Sequence, residues 1–163
     1  MTSTYEMIAT NTLTSNQANV TFSTISGSYT DLIIAWNAGN SNGTTEDLLF
    51  QYNNDTGSNY SVTQLYGDGS SASSARYNNT SFISGNYPLA STIISMGLIN
   101  ILNYSNTTTY KTSIARTGSA SSYVFACVGT WRNTAAITAI KIFSSTGNLL
   151  SGSTFTLYGI KAE

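Results

Sequence analysis

Residues 131–161 read WRNTAAITAIKIFSSTGNLLSGSTFTLYGIK and contain two runs rich in β-branched and aromatic residues. These runs, residues 137–143 and Thr154–Ile160, are both predicted to be strands. Residues 144–148 between them hold the glycine and asparagine that turns need, because these residues tolerate positive φ or bond their own backbone. The stretch therefore predicts β-structure with short connections.

The side chains of the last run alternate in character. Phe155, Leu157 and Gly159 fall on one face, and Thr154, Thr156 and Tyr158 fall on the other. A period of two with one apolar face is typical of a strand that buries that face. Because this strand is made last, we expect it to lie inside a sheet and to pair with strands made much earlier.

Similar runs recur along the rest of the chain. They occupy residues 5–9, 19–25, 31–37, 46–52, 60–66, 91–103, 110–116 and 123–131. No segment of useful length shows the period of a helix, so about nine or ten strands with turns between them predict an all-β, antiparallel β-sandwich with a jelly-roll-like order. Gly97, inside one of the runs, is expected to mark a bulge.

The length of 163 residues fits a single domain covering residues 1–163. A chain of this size can bury about 70% of its unfolded surface, which is enough for a core without disulfides. Residues 1–12 are a possible N-terminal arm. Residues 53–89 form a long polar region, and a loop of that length in a compact domain is usually functional or mobile.

Charged residues make up only 8% of the chain, the net charge is −1 and histidine is absent. Nucleic-acid binding needs a concentrated basic patch, so this composition argues against it. The scattered cations are each expected to be solvated or ion-paired: Arg76, Lys111, Arg116, Arg132, Lys141 and Lys161.

The chain shows no sign of membrane insertion or export. Its first residues lack a basic start followed by an apolar segment, and the longest apolar run, near residues 93–102, is too short to span a bilayer. We expect the protein to be made and folded in a cytoplasm. The single cysteine, Cys127, is expected to be a small buried apolar residue, because no histidine is present to activate it.

Catalytic motifs are not evident. Residues 39–43, Gly-Asn-Ser-Asn-Gly, match Gly-x-Ser-x-Gly, but the chain has no histidine to activate the serine. The acids that could form a glycosidase pair are Glu46, Asp47, Asp55 and Asp68. Asp55 and Asp68 lie in natural turn sequences, which explains them without catalysis. Residues 53–59 lack EF-hand spacing, and a cation bound by that loop is the alternative left open. We expect no enzyme, no cofactor and no metal.

The aromatic residues of the long polar region are the candidate interface. They are Tyr60, Tyr66, Tyr77, Phe82 and Tyr87. Tyrosine offers a large contact area with few rotatable bonds and a polar tip, which enriches it at interfaces and at sugar-binding surfaces. The alternative is that several of these rings cover the core.

Several segments resemble a family of small β-rich virion proteins of tailed bacteriophages, found in phages of cyanobacteria and marine bacteria. The similar segments are residues 29–32, 54–60, 65–67 and 133–138, together with Trp131 and the closing phrase STFTLYGIK at residues 153–161. The similarity spans most of the chain and is weaker at residues 71–88 and at the N-terminus.

The resemblance implies a virion surface component, bound to the capsid or part of a tail fibre, and it brings no catalytic residues. We expect a capsid decoration (cement) protein that binds the major capsid protein on the virion surface. It is expected to be a homo-oligomer, with a trimer matching the local threefold axes of a capsid lattice. The alternative is a receptor-binding module of a fibre or spike that recognises host surface glycan.

Overall fold

The computed structural model describes residues 4–85, 89, 94–119 and 123–161. In these residues the regular structure consists of twelve strands: β1 (Tyr5–Thr12), β2 (Asn19–Phe22), β3 (Asp31–Ala38), β4 (Leu48–Tyr52), β5 (Tyr60–Gly67), β6 (Ala72–Thr80), β7 (Ile83–Ser84), β8 (Ser95–Leu102), β9 (Lys111–Gly118), β10 (Val124–Trp131), β11 (Ile140–Ser144) and β12 (Thr154–Ile160). All strand pairings are antiparallel. The predicted all-β antiparallel sandwich is confirmed.

The strands form two sheets of unequal size. The large sheet has eight strands in the order β1-β12-β3-β8-β9-β10-β5-β6, and the small sheet has four in the order β2-β11-β4-β7. The hairpins β5–β6 and β9–β10 widen the large sheet on one side, and β7 of the small sheet packs beneath β10 and β5. No described residue forms a layer over the outer face of the wide half of the large sheet, where side chains of β5, β8, β9 and β10 are exposed.

The hydrophobic core fills the space between the sheets. Its largest fully buried side chains include Trp131, Tyr52, Tyr60, Tyr104, Phe50 and Phe155. The Tyr52 ring packs edge-on against Trp131 at 5.8 Å between centroids, and Tyr60 stacks on Trp131 at 6.3 Å. Burying an aromatic side chain of this size contributes about 1.5–3 kcal/mol, so this cluster anchors the sandwich.

The last strand lies inside the large sheet, as predicted. β12 pairs with β1 on one side and with β3 on the other. Its bounds match the sequence prediction, and Phe155 and Leu157 are fully buried. The predicted N-terminal arm is corrected for residues 5–12, because they form β1 and bond to β12. Met1–Ser3 lie outside the described residues.

The polar region of residues 53–89 is not one continuous loop, because strands interrupt its turns. It contains β5, β6 and β7, and β6 was not predicted because both of its faces are exposed and its sequence carries no alternation. The predicted bulge at Gly97 is also wrong, since β8 keeps a regular register with both neighbours. A Cβ at Gly97 would lie 2.5 Å from Cζ2 of Trp36, so the glycine makes room for that indole.

Lys111 departs most clearly from the solvated or ion-paired state predicted for the six cations. Lys111 is fully buried, and its Nζ donates to the carbonyl oxygens of Thr109 at 2.7 Å and Thr134 at 3.0 Å. Burial lowers the pKa of this ammonium group. Lys161 does form an ion pair, with Glu6 at the β1–β12 edge.

Candidate interaction surfaces

Tyr60 is the one candidate interface residue that the structure removes from the surface. Its side chain has no exposed area, and its hydroxyl accepts from the backbone N–H of Tyr52 at 3.0 Å and donates to the carbonyl of Asp55 at 3.1 Å. Burial raises the pKa of this phenol to about 12. Tyr60 therefore belongs to the core cluster and cannot contact another chain.

The remaining candidate aromatics lie in different environments. Tyr66 is partly exposed and stacks on Phe125 at 5.2 Å, while Tyr77 on β6 is 50% exposed. Phe82 is partly buried, with its ring edge-on to Phe143 at 6.5 Å. Tyr87 lies outside the described residues. The four candidates that the structure describes therefore differ in exposure and in neighbours.

Tyr77 and Phe82 do share a cavity of about 200 Å³ beneath the β5–β6 hairpin. The other residues that line it are Asp47, Val62, Thr80 and Ser84. Asp47 Oδ2 accepts from Ser84 Oγ at 3.4 Å, and its Oδ1 is buried without a hydrogen-bond partner. Burial raises the pKa of Asp47, because a desolvated carboxylate is disfavoured. The cavity thus combines two aromatic rings with a poorly satisfied carboxyl group.

Asp55 is committed to structure, in agreement with the turn interpretation. Its Oδ1 accepts from the backbone N–H of Gly57 at 2.8 Å, and its Oδ2 accepts from Asn59 Nδ2 at 2.9 Å and Trp131 Nε1 at 2.7 Å. Burial raises the pKa of Asp55, but these three donors outweigh it and the net shift is downward. Both oxygens are therefore occupied by donors of the chain itself.

Asp68 and Glu46 are held in the same manner as Asp55. Asp68 Oδ1 accepts from the backbone N–H groups of Ser71 at 2.7 Å and Ser70 at 2.8 Å, which keeps the pKa of Asp68 far below its ordinary value. Hydrogen bonds from Ser145, Thr146 and Thr44 lower the pKa of Glu46 to about 2. These carboxylates stay charged and act as turn and loop acceptors, which gives neither one the raised pKa that a general acid needs.

Several segments that carry the phage resemblance, or residues beside them, contact one another in pairs. Asn53, adjacent to residues 54–60, donates from Nδ2 to the carbonyl of Ala136 at 2.7 Å and accepts at Oδ1 from the backbone N–H of Thr138 at 2.8 Å. Thr30 donates its backbone N–H to the carbonyl of Ile160 at 2.8 Å. These contacts join distant loops to one another, which is a structural role.

The outer face of the large sheet carries an apolar surface that the sequence analysis did not single out. We call it the apolar face; its exposed members, with their exposed fractions, are Leu65 (62%), Met96 (61%), Leu102 (36%), Ile114 (40%), Val124 (67%) and Val128 (48%). They lie on β5, β8, β9 and β10 at alternate positions, and the strand registers put them all on one side. The sequence of β10 carried a signal of this face, because Val124 and Val128 on the outer side alternate with the equally apolar Phe125 and Cys127 on the inner side.

A depression of about 550 Å³ lies at one end of the apolar face. Gly67 and Gly118 flank Val124 in the registers of β5, β10 and β9, and their missing side chains leave the space open. Arg116 and Asp68 both line this depression. The exposed guanidinium of Arg116 makes no hydrogen bond or ion pair with any residue that the structure describes.

β6 is one of the two edge strands of the large sheet, and β1 is the other. Seven of the nine residues of β6 are exposed, and they are small and neutral apart from Arg76 and Tyr77. Its ladder with β5 is regular from Ala72 to Asn78, and a bulge follows beside Tyr60. Proline and lysine, which commonly protect edge strands, do not occur in it. β6 therefore offers a row of unpaired backbone groups.

Comparisons with known proteins add no family. Scans of the chain against protein-family models and against curated proteins find no match. In the described residues, no three histidine, cysteine or carboxylate side chains gather as a metal site would require. The same part of the chain has no helix of the length and apolar character needed to cross a bilayer. The likeness to phage virion proteins stays a prediction.

Proposed function

We propose that this protein is a non-enzymatic structural component of a phage particle, a decoration protein that binds the major capsid protein on the virion surface. The resemblance suggests the particle, and β6 supplies the observation that carries the proposal. An exposed regular edge strand with small neutral side chains is suited to pairing with a strand of another protein.

The proposed mechanism is additive coverage of the capsid lattice. A protein that binds only the assembled lattice stabilises it by mass action against any opened form. Each specific contact would bury on the order of 1,000 Å² or more. Because β6 contacts would be made by backbone groups and neutral side chains, their strength would depend little on pH.

We also propose that the sandwich is a jelly roll with two inserted hairpins. Strands β1, β12, β3 and β8 are neighbours in the large sheet, and β2, β11, β4 and β7 form the small sheet. When the hairpins β5–β6 and β9–β10 are set aside, the chain changes sheets at every step from β1 to β12 except the step from β4 to β7. This alternation is what a jelly roll requires, and capsid and lectin domains use that architecture.

Copy number tests the proposed role. Quantitative mass spectrometry of purified particles of the phage that encodes the chain should find hundreds of copies per particle for a decoration protein. A fibre or spike tip would give tens at most, and absence from the particle would contradict both roles. A cryo-electron map of the same particles should show density on the capsid surface.

A matched pair of edge variants tests the role of β6. Ser73→Lys adds a charge to this edge, and it should weaken binding of the purified protein to shells stripped of decoration. Asn11→Lys makes the same kind of change on β1, at the opposite edge of the large sheet, and should bind as the unchanged protein does. Equal binding by both variants would remove β6 from the contact.

The cavity beneath the β5–β6 hairpin favours a second candidate function, recognition of host glycan by a fibre or spike module. Aromatic rings of Tyr77 and Phe82 beside the Asp47 carboxyl group are a combination that can hold the apolar face and the hydroxyl groups of a sugar. A glycan array probed with the labelled protein tests this function. Tyr5→Ala, a change at another exposed tyrosine, is the control. Glycan binding that is lost in Tyr77→Ala and kept in Tyr5→Ala would favour glycan recognition over decoration.

A further inference from the structure

The apolar face is unusual for the surface of a single chain. Val124, Leu65 and Met96 are each more than 60% exposed, and Val128 lies opposite Ile114 on the neighbouring strand, so the apolar side chains adjoin. Contiguous exposed apolar surface of this kind marks a contact with another protein. It is distinct from the β6 edge, because it is made of side chains on the face of the sheet.

The charges beside this face are complementary to each other. Arg116 extends from β9 at the level of Ala126 and Leu98, and Asp68 lies in the turn that follows β5. Both line the same depression, yet no ion pair between them is formed within the chain. A two-fold axis through the depression would bring Arg116 of each copy towards Asp68 of the other, because in an isologous contact residue i meets j and j meets i.

We propose that the apolar face packs against the same face of a second copy around a two-fold axis, with Arg116 of each copy paired to Asp68 of the other. Apolar side chains would supply the contact area, and the two reciprocal ion pairs would fix the orientation of the copies. If the two faces were shifted relative to each other, the Arg116 guanidinium of each copy would be buried among apolar side chains without an anion. Burial of an unpaired charge costs free energy.

The size of the face is compatible with a weak dimer. With strands about 4.8 Å apart and about 3.3 Å per residue, the four strands β8, β9, β10 and β5 over seven residues cover roughly 19 by 23 Å. That is about 440 Å² per copy and about 880 Å² for the pair, in the range of weak, transient interfaces. We therefore expect a dimer that dissociates on dilution.

This inference deepens the proposed homo-oligomer and replaces the trimer expected from the sequence with a pair. Its test uses the purified chain without capsids, so it can fail while the capsid proposal stands, and the reverse also holds. The β6 edge remains at the rim of the paired faces. The dimer could therefore still offer two such edges to a lattice.

Charge reversal followed by sedimentation velocity over a range of concentrations tests the pairing. The unchanged chain should show a monomer–dimer equilibrium. Arg116→Asp and Asp68→Arg should each weaken dimerisation about tenfold or more, because each puts like charges together. The double variant Arg116→Asp/Asp68→Arg should restore dimerisation to near the original value, since the pair is reformed with the charges exchanged.

Controls separate the pairing from damage to the fold. Lys141→Asp makes the same charge change on β11 of the small sheet and should leave the equilibrium unchanged. If Asp68→Arg does not fold, Asp68→Asn keeps an acceptor for Ser70 and Ser71 while it removes the charge, and it should also weaken the dimer. A chain that is monomeric or trimeric at every concentration, or a double variant that is not restored, would overturn the proposal.

Discussion

At the scale of single residues, Asp55 is the clearest case of a polar side chain that holds the fold together. Its carboxylate joins the turn after β4 to Trp131 at the end of β10. Asp55→Asn removes the charge and presents an N–H group to donors, so we expect a loss of about 1–3 kcal/mol in the free energy of unfolding. Urea denaturation followed by tryptophan fluorescence measures this loss.

The effect of Asp55→Asn should depend on pH. The folded-state pKa of Asp55 is below its ordinary value of 3.8, so its ionised form stabilises the fold above that value, and the stabilisation is lost as the pH falls through the folded pKa. The difference between the two proteins should shrink in strong acid. Thr56→Ala, a change at the exposed neighbour, should cost little at any pH. A difference that does not change with pH would contradict the role of the charge.

Cys127 makes a second prediction at this scale. The thiol is buried, donates to the carbonyl of Ser84 at 3.4 Å, and has its pKa raised by burial to about 11. We expect no reaction with a thiol reagent at mildly alkaline pH until the protein unfolds, because the thiolate is the reactive form. The time course of labelling in native buffer and in denaturant measures this. Rapid labelling of the native protein would show that β10 opens locally.

At the scale of elements, the strands that bury one face were predictable and those that bury neither were not. The bounds of β12 follow from strict alternation, which burial of one face imposes on the sequence. β6 has no buried face, so nothing in its sequence of small polar residues distinguishes it from a loop. Its existence depends on pairing with β5, which is a tertiary interaction.

The candidate surfaces were predictable only in part, because the sequence does not show which side chains tertiary packing will bury. Tyr77 could be picked out as an aromatic residue in a polar segment. Tyr60 was misassigned because its buried hydroxyl finds backbone partners that sequence spacing does not reveal. The apolar face needs four strands to be placed side by side, and the sequence does not state their order.

Gly97 in β8 gives a prediction about how strands pack on the core. A Cβ there would lie 2.5 Å from Trp36 Cζ2, 2.7 Å from the carbonyl oxygen of Arg116 and 2.8 Å from Thr117 Cβ. Gly97→Ala should therefore cost about 1–3 kcal/mol or more, since the backbone cannot move aside freely. Gly67→Ala in β5 meets only ordinary contacts, of 3.5 Å and longer, and is the matched control. Equal melting temperatures of the Gly97→Ala and Gly67→Ala proteins would show that the residues around Trp36 rearrange at little cost.

At the scale of the whole molecule, β12 unites parts of the chain that are far apart in sequence. It separates β1 from β3, so the large sheet is divided without it. A chain ending at Ser153 should lack the near-ultraviolet circular dichroism of packed aromatic rings and should sediment as aggregates. A chain ending at Lys161 keeps β12 and its ion pair with Glu6, and should remain folded. A compact monomer from the shorter chain would contradict this dependence.

The central place of β12 has a consequence during synthesis on the ribosome. Until residues 154–160 leave the exit tunnel, the edges of β1 and β3 that face β12 are unpaired. Neighbouring nascent chains on the same messenger RNA carry the same unpaired edges. A β12 strand from a neighbouring chain would fit between β1 and β3 as well as the chain's own β12. Any delay before β12 joins its own sheet would therefore favour strand exchange between sister chains.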